Sequence, residues 1–251
     1  MSRRVVITRP REDAILLAEQ LAEQDIEAMI EPMLEIVRRP LNAALDFNGV
    51  QAILATSANG VRMLAQVSVR RDLPLFAVGP ASAEAAAACG FAEISAASGD
   101  VEALAKLVCA RLRPNAGSLV HVAGKHIAGD LTGALGAAGF NVRREVLYEA
   151  RAATAFSERL RDALATGGLD GVLFFSPRSA GTFVTLLKAA GLAQRTASLD
   201  ALCLRDAVAK AAGGVTWRRV AVAERLDQEA VLAFLDPGSA RAPTGSGESR
   251  T

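Results

Sequence analysis

Five short runs of small polar residues are the parts of this 251-residue chain that could do chemistry. Each follows an apolar segment and precedes a helical one, which predicts a strand-to-helix turn with backbone N–H groups at a helix N-terminus. Such groups bind carboxylates or phosphates, and parallel strands bring their turns to one carboxyl edge, where ligands usually bind. Any single Ser or Thr is more simply a helix cap, so the anion-binding interpretation depends on the number of turns. The turns are Thr8-Arg9-Pro10, Thr56-Ser57-Ala58-Asn59, Gly79-Pro80-Ala81-Ser82, Ala123-Gly124-Lys125 and Ser176-Pro177-Arg178-Ser179.

The stretch EVLYEAR, Glu145 to Arg151, contains the only tyrosine, Tyr148. A phenol has an ordinary pKa of about 10, so it keeps its proton at neutral pH and could act as a weak general acid. The same residue could instead be a strand aromatic whose ring covers core. The residues alone leave both interpretations open.

Familiar catalytic constellations are missing from the sequence. No GxSxG elbow, P-loop or GxGxxG motif follows a predicted strand. His121 is predicted to lie on a strand, and Gly124 separates it from His126, so a metal pair is not expected. The spacing of Cys89, Cys109 and Cys203 fits no zinc site, and we interpret all three as buried, reduced thiols. An enzyme with this sequence would use no metal and no cofactor, and would depend on positioning, backbone hydrogen bonds and one weak acid.

Composition excludes several classes of partner. The 28 basic and 27 acidic side chains are interspersed and give a net charge of +1, which argues against a nucleic-acid partner. No apolar run approaches the roughly 20 residues of a membrane span, and the N-terminal run is too short for a signal peptide. We therefore expect a cytoplasmic protein with no membrane partner. No exposed apolar helix face is evident, so we expect a monomer.

Strand-like and helix-like segments alternate along the chain, beginning with VVIT at Val5. The apolar residues are mostly Ala, Leu and Val, and aromatics make up 4%. This pattern predicts an α/β fold in which helices cover both faces of parallel sheets.

The second half of the sequence repeats the first. Leu131 and Leu135 fall on Leu17 and Leu21 with the same shift of 114 residues, and Ser176 falls on Ser57 in the next block. Four blocks occur in the same order, which predicts an internal duplication of two βα arrays and a pseudo-twofold pair of domains. The segment after Asp236 lacks large apolar residues and is expected to be a disordered tail.

Five motifs together resemble the uroporphyrinogen-III synthase family: ITRP, ILATSANGVRML, FAVGPASAEAAAACGF, VLYEAR and LFFSPRSAGTF. The resemblance extends from Val5 to about Leu235, with the motifs in family order. It implies two flavodoxin-like or Rossmann-like parallel-sheet domains joined by a two-stranded β-ladder, with crossings at EPMLEIVR and EVLYEAR. One domain would combine residues 1–35 and 151–236, the other would be residues 38–145, and residues 237–251 would be the tail.

The resemblance also implies an activity. The family cyclises a small molecule, hydroxymethylbilane, to uroporphyrinogen III in tetrapyrrole (haem) biosynthesis, with loss of water and inversion of ring D. Tyr148 would face the substrate between the domains and act as the catalytic acid. The residues implied to bind the substrate are Arg9, Thr56, Ser57, Ala58, Asn59, Gly79, Ala81, Ser82, Ser176 and Arg178.

One turn departs from the family pattern. Cys203-Leu204-Arg205-Asp206 lacks the glycine, proline and hydroxyl of the corresponding first-array turn, so no site is expected there. The departure keeps open the alternative of a degenerate synthase homologue. A non-enzymatic two-domain binder of a small anionic ligand is the other alternative.

Overall fold

The computed structural model describes residues 3–127 and 129–236; the tail predicted for residues 237–251 lies outside them. No helix in these ranges is long and apolar enough to cross a membrane. Contacts divide the described chain into two compact units. Ile36–Arg151 forms the continuous unit, and residues 3–35 with 152–236 form the split unit. That these units are the two domains named above stays a prediction.

Strands and helices alternate as the sequence predicts. Along the chain they are β1 (Arg4–Ile7), α1 (Arg11–Ala22), β2 (Glu27–Ile30), β3 (Leu34–Arg38), β4 (Val50–Ala55), α2 (Ala58–Val67), β5 (Leu75–Ala77), α3 (Pro80–Ala88), β6 (Ile94–Ala96), α4 (Val101–Arg111), β7 (Ser118–Gly124), α5 (Leu131–Ala137), β8 (Val142–Ala152), α6 (Glu158–Thr166), β9 (Gly171–Phe174), α7 (Pro177–Ala189), β10 (Asp200–Cys203), α8 (Asp206–Ala212), β11 (Arg219–Val222) and α9 (Gln228–Leu232).

The split unit is built on the sheet β11-β10-β9-β1-β2, whose strands pair in parallel. One face is filled by aromatic rings: the centroids of Phe174 and Phe183 are 5.4 Å apart, and those of Phe174 and Trp217 are 5.8 Å apart. The indole N–H of Trp217 donates to the Ala212 carbonyl at 2.9 Å, so burial of this ring leaves no polar atom unpaired. The other face packs Ile7 and Leu173 against α1 residues such as Leu17.

The continuous unit is built on the sheet β3-β8-β7-β4-β5-β6, in which β4 to β8 pair in parallel. The sheet is buried on both faces. Ile53 and Val120 lie in one core, whereas Leu54 and Leu119 lie in the other. Strands buried on both faces must read as continuous apolar runs, which explains the sequence of β4, VQAILA.

The two sheets repeat one strand order. The order β2-β1-β9-β10-β11 of the split unit matches the order β8-β7-β4-β5-β6 of the continuous unit. The first-array strand β1 lies between β2 and the second-array strand β9. In the same way, the second-array strand β7 lies between β8 and the first-array strand β4. The predicted duplication is therefore present, and each sheet contains strands from both arrays.

The expectation that all three cysteines are buried is wrong. Cys203 is buried, Cys89 is half-buried and Cys109 is exposed. The buried positions of α4 are Leu104 and Val108, four residues apart, so Cys109 is turned about 100° away from that face. Its Ala- and Leu-rich surroundings were misleading because helical phase, not local composition, decides which side chain is buried.

These exposures predict which thiol reacts with a water-soluble disulfide reagent. In the folded protein we expect Cys109 to be labelled rapidly and Cys203 only on unfolding, because Cys203 is fully buried and burial raises the pKa of its thiol to about 12. Cys109→Ser should abolish the fast phase measured by absorbance. A fast phase that survives in Cys109→Ser would contradict the assigned exposures.

Candidate active site

Two adjacent hydroxyl residues, Thr56 and Ser57, follow the end of β4. Successive strand side chains point to opposite faces of a sheet. Leu54 lies in one core and Ala55 in the other, so Thr56 continues the first face and Ser57 the second. The two hydroxyls therefore reach different partners.

The hydroxyl of Ser57 contacts the phenol of the only tyrosine. Its Oγ lies 2.8 Å from Oη of Tyr148 and also accepts the N–H of Gly60 at 3.0 Å, which caps α2. A serine hydroxyl has one proton and two lone pairs. It can accept from Gly60 and donate to Tyr148 at once, which leaves the phenol's own proton for another acceptor.

A register shift in β8 places Tyr148 on this face of the sheet. Ala123 of β7 pairs with Val146, but the next residue, Gly124, pairs with Tyr148. Leu147 is thus the extra residue of a bulge, and Leu147 and Tyr148 enter the same core although they are adjacent in sequence. The tyrosine ring lies against Gly124, where a Cβ would be 2.7 Å from Cζ of the ring. Glycine is required there by the close approach of the ring.

The environment of the Tyr148 phenol keeps it protonated. The side chain is buried, and burial raises its pKa because the phenolate would lose its hydration, whereas the hydrogen bond to Ser57 lowers it. The ring belongs to the core, as one of the two interpretations of the sequence predicts, and the hydroxyl also has a polar partner. Tyr148 therefore combines a ring packed in the core with a hydrogen-bonded hydroxyl.

Thr56 contacts a buried histidine on the other face. Its Oγ1 lies 3.1 Å from Nε2 of His121, which is 1% exposed. Nδ1 of His121 has no hydrogen-bond partner among the described residues. Burial lowers the pKa of the imidazole to about 4, with a further contribution from the nearby charge of Arg144, so the ring is neutral at physiological pH.

Two cations hold the turn that follows β7. Arg144 donates through Nη2 to the carbonyls of Gly124 at 2.7 Å and Lys125 at 3.0 Å. The backbone N–H of Lys125 donates to the Tyr148 carbonyl at 2.8 Å, and its Nζ lies 2.9 Å from Oε1 of Glu149. These bonds attach the Gly124-Lys125 turn to β8 on both sides of Tyr148.

The remaining predicted residues of the continuous unit lie on neighbouring turns, because β4 and β5 are adjacent parallel strands. Ala58 and Asn59 begin α2, and the Asn59 side chain accepts from Arg62 at 3.3 Å. Gly79 precedes α3 without a side-chain cap, and Ala81 and Ser82 lie in its first turn. The turn Ala123-Gly124-Lys125 lies at the end of β7, which also pairs in parallel with β4, so the structure brings three of the predicted turns to one edge of this sheet.

The predicted residues of the split unit have structural partners of their own. Ser176 caps α7 by accepting the N–H of Ser179 at 3.0 Å. Arg9 donates to Gln228 at 2.7 Å and forms an ion pair with Asp13 at 3.4 Å. Its guanidinium also lies 4.8 Å from the centroid of the Phe175 ring. The charge of Arg9 is thus already engaged within the fold.

Arg178, the last of the predicted site residues, and the turn Cys203-Asp206, which departs from the family pattern, also lie in the split unit. Arg178 is exposed in the first turn of α7. Arg205 precedes α8, where no side chain caps the helix. This turn thus has none of the hydroxyl chemistry of the corresponding turn after β5, as the sequence indicates.

Comparison with known proteins identifies the family. The family model described as uroporphyrinogen-III synthase HemD matches residues 16–233, which is most of the chain. The chain belongs to the uroporphyrinogen-III synthase family. No curated protein sequence matches it.

Solved synthases share the fold of this family member. The uroporphyrinogen-III synthetase of Helicobacter pylori is 17% identical, with 93% of this chain and 98% of that chain covered and a TM-score of 0.60. A mutant of the synthase from Thermus thermophilus is 21% identical, with 93% and 98% covered and a TM-score of 0.53. The predicted fold class is confirmed. The family match supports the synthase function, and no finding favours the non-enzymatic alternative.

Sequence reasoning missed two members of the candidate site: His121 as a partner of Thr56, and Arg144 as a support of the turn beside Tyr148. It singled out the turn that contains Lys125, but not the bonds of Lys125 to β8. The sequence raises only the question of whether His121 could bind a metal together with His126. The residues described in the structure contain no group of three or more His, Cys, Asp or Glu that could hold a metal ion. The contact of His121 with Thr56 could have been predicted from the parallel pairing of β7 with β4, because this pairing places a strand histidine beside the end of β4.

The buried imidazole predicts how stability depends on pH. The folded-state pKa of His121 is about 4, below the ordinary 6.5, so the unfolded chain binds a proton between these values that the folded chain does not. The free energy of unfolding should therefore fall as the pH is lowered through this window, by up to about 3 kcal/mol from this group. Urea unfolding at about pH 7 and about pH 4.5 measures the change.

A matched pair of variants assigns that loss to one residue. His121→Leu should lose less stability on acidification than the unsubstituted protein, whereas His126→Gln, which alters the exposed histidine, should lose the same amount. Equal acid sensitivity in His121→Leu would show that other groups cause the loss.

Proposed function

We propose that this family member is a cyclising hydro-lyase that converts hydroxymethylbilane into uroporphyrinogen III, with loss of water and inversion of ring D. The family match over residues 16–233 supports the substrate. The observation that carries the mechanism is the hydrogen bond between Tyr148 and Ser57 beside the Gly124-Lys125 turn. A monomeric, cytoplasmic enzyme of tetrapyrrole biosynthesis, working without a cofactor, remains part of this proposal.

In the first step, the phenol of Tyr148 gives its proton to the terminal hydroxymethyl group. The C–O bond breaks and water leaves, while electrons from the pyrrole nitrogen form the new double bond. Loss of the pyrrole N–H proton then gives a neutral azafulvene, and a proton from this step restores the phenol. General acid catalysis of this kind contributes about 10²–10⁴-fold.

Ser57 supports the phenol in both of its states. It donates to Tyr148 Oη while Gly60 donates to it, so the phenolate formed during the reaction receives a hydrogen bond from a hydroxyl that is already oriented. Burial raises the pKa of the phenol and keeps the proton in place until a substrate hydroxyl arrives. The opposing effects of burial and Ser57 therefore suit an acid that must be protonated at rest.

The second requirement is control of the flexible bilane. The substituted carbon of ring D must attack the azafulvene, and the resulting spiro intermediate must fragment and close again with ring D inverted. Each pyrrole carries acetate and propionate groups, which backbone N–H groups at helix N-termini can bind. The turns before α2 and α3 meet at one edge of the sheet and are suited to this task. The proposed substrate contacts are Thr56, Ser57, Ala58, Asn59, Gly79, Ala81 and Ser82 here, with Arg9, Ser176 and Arg178 from the split unit.

Product analysis tests the activity. Purified protein is supplied with hydroxymethylbilane generated in place, and the oxidised products are separated into type I and type III isomers. We expect type III to dominate, because an enzyme that holds the bilane directs attack by the substituted carbon. Type I alone, from protein with a cooperative unfolding transition, would mean spontaneous closure and would support the binding or degenerate alternatives.

Substitution of the phenol tests the mechanism. Tyr148→Phe removes one oxygen and keeps the ring against Gly124, so we expect turnover to fall at least about tenfold with a small change in stability. The exposed Cys109→Ser variant is the control and should retain full turnover. Unchanged turnover in Tyr148→Phe would remove Tyr148 as the acid while leaving the activity itself intact.

A further inference from the structure

The internal duplication supplies a comparison for His121 within the same chain. The shift of 114 residues places His121 on Ile7, and the block that places Ser57 on Ser176 also places Thr56 on Phe175. In the split unit, Ile7 is fully buried in an apolar core, and Phe175 packs against that core. The same sheet position therefore accepts an apolar pair in one unit and contains a polar pair in the other.

The polar pair carries a cost that the apolar pair does not. His121 is 1% exposed and Nδ1 has no hydrogen-bond partner among the described residues, so one polar atom of the ring is desolvated without compensation. Packing alone would be better served by an aliphatic side chain, as at Ile7. Departures from local folding rules of this kind are expected at functional sites.

His121 is connected to the phenol of Tyr148 through two neighbouring residues, Thr56 and Ser57. Nε2 lies 3.1 Å from Oγ1 of Thr56, and Ser57, the next residue, lies 2.8 Å from Oη of Tyr148. His121 and Tyr148 thus hold two consecutive residues from opposite faces of the sheet. With both side chains held, the backbone between Thr56 and Ser57 has little freedom to rotate, and Ser57 Oγ stays directed toward the phenol.

We propose that His121 is a positioning residue, which fixes Thr56 and thereby the orientation of Ser57 toward the phenol of Tyr148. This inference rests on the proposed function and deepens it. His121 pairs with Arg144 across β7 and β8, and the charge of Arg144 opposes protonation of the ring. A neutral imidazole buried in the sheet touches no substrate, so its effect passes through Thr56 alone.

The single tyrosine allows a direct measurement of this effect. Phenolate absorbance reports Tyr148 without any other tyrosine in the background. The hydrogen bond from Ser57 lowers the pKa of this phenol against the effect of burial, so a turn that is held less well should raise it. The titration requires folded protein and no substrate, and circular dichroism at each pH verifies the fold.

Four variants test the link. His121→Leu, which copies the apolar character of Ile7, and Thr56→Val, which keeps the shape of threonine, should each raise the Tyr148 pKa and lower kcat by about tenfold. We expect little change in KM for His121→Leu, because His121 is not among the proposed substrate contacts. Thr56 is one of them, so KM should rise in Thr56→Val, and the substrate-free phenol titration is the decisive measurement for that variant. His121→Gln, whose amide reaches as far as Nε2, should restore most of both properties. The double variant His121→Leu/Thr56→Val should show the same Tyr148 pKa and the same kcat as either single variant, since both substitutions break the same contact.

Two results would overturn the inference: unchanged phenol titration and kcat in His121→Leu, or additive effects in the double variant. A purely structural role would alter the unfolding midpoint of His121→Leu and leave the titration unchanged. If His121→Leu does not fold, Thr56→Val still decides, because it removes the same hydrogen bond without changing the core. A protein that yields only the type I isomer would defeat the proposed function, and the titration would still confirm or reject the positioning role.

Discussion

Where β7 ends, its pairing with β8 slips by one residue, and this slip determines which face of the sheet Tyr148 occupies. Strand parity alone would put Tyr148 on the same side as Arg144, away from Ser57. The bulge at Leu147 reverses this and brings the phenol to the hydroxyl that caps α2. Gly124 makes the change possible, since any larger residue would occupy the space of the ring. The proposed chemistry therefore depends on a backbone irregularity that is two residues long.

The two units have the same strand order but different polar side chains around the helix cap. Their strand orders match, and both have a serine that caps the helix after the central strand, Ser57 in one and Ser176 in the other. Ser176 contacts Ser179, whereas Ser57 contacts the phenol of Tyr148. Duplication thus supplied the positions twice, but only one copy has the tyrosine and the buried imidazole beside the helix cap. At the position of His121 the other copy has Ile7, whose burial in an apolar core favours stability.

Local patterns in the sequence were sufficient to predict the strands, the helices and the internal duplication. Buried parallel strands read as apolar runs, and the Ser and Thr residues before helices do act as caps at Ser57 and Ser176. The contact of Thr56 with His121 joins residues far apart in sequence, and it depends on a strand register that no local pattern specifies. The sequence also could not predict which face of the sheet Tyr148 occupies, because a bulge breaks the alternation from which faces are predicted. Cys109 differs from these two, since the helical period of α4 already turns it toward solvent.

The interleaving of the two arrays has a consequence for synthesis on the ribosome. All strands of the continuous unit have been made once the chain has emerged to about Arg151, so its sheet can close while translation continues. The nascent split unit has only β1 and β2 at that time, and β1 must leave one edge open until β9 is translated. An open edge bearing Val5, Val6 and Ile7 can pair with another chain. The strand β1 is therefore translated before the continuous unit but is paired on both edges only after it.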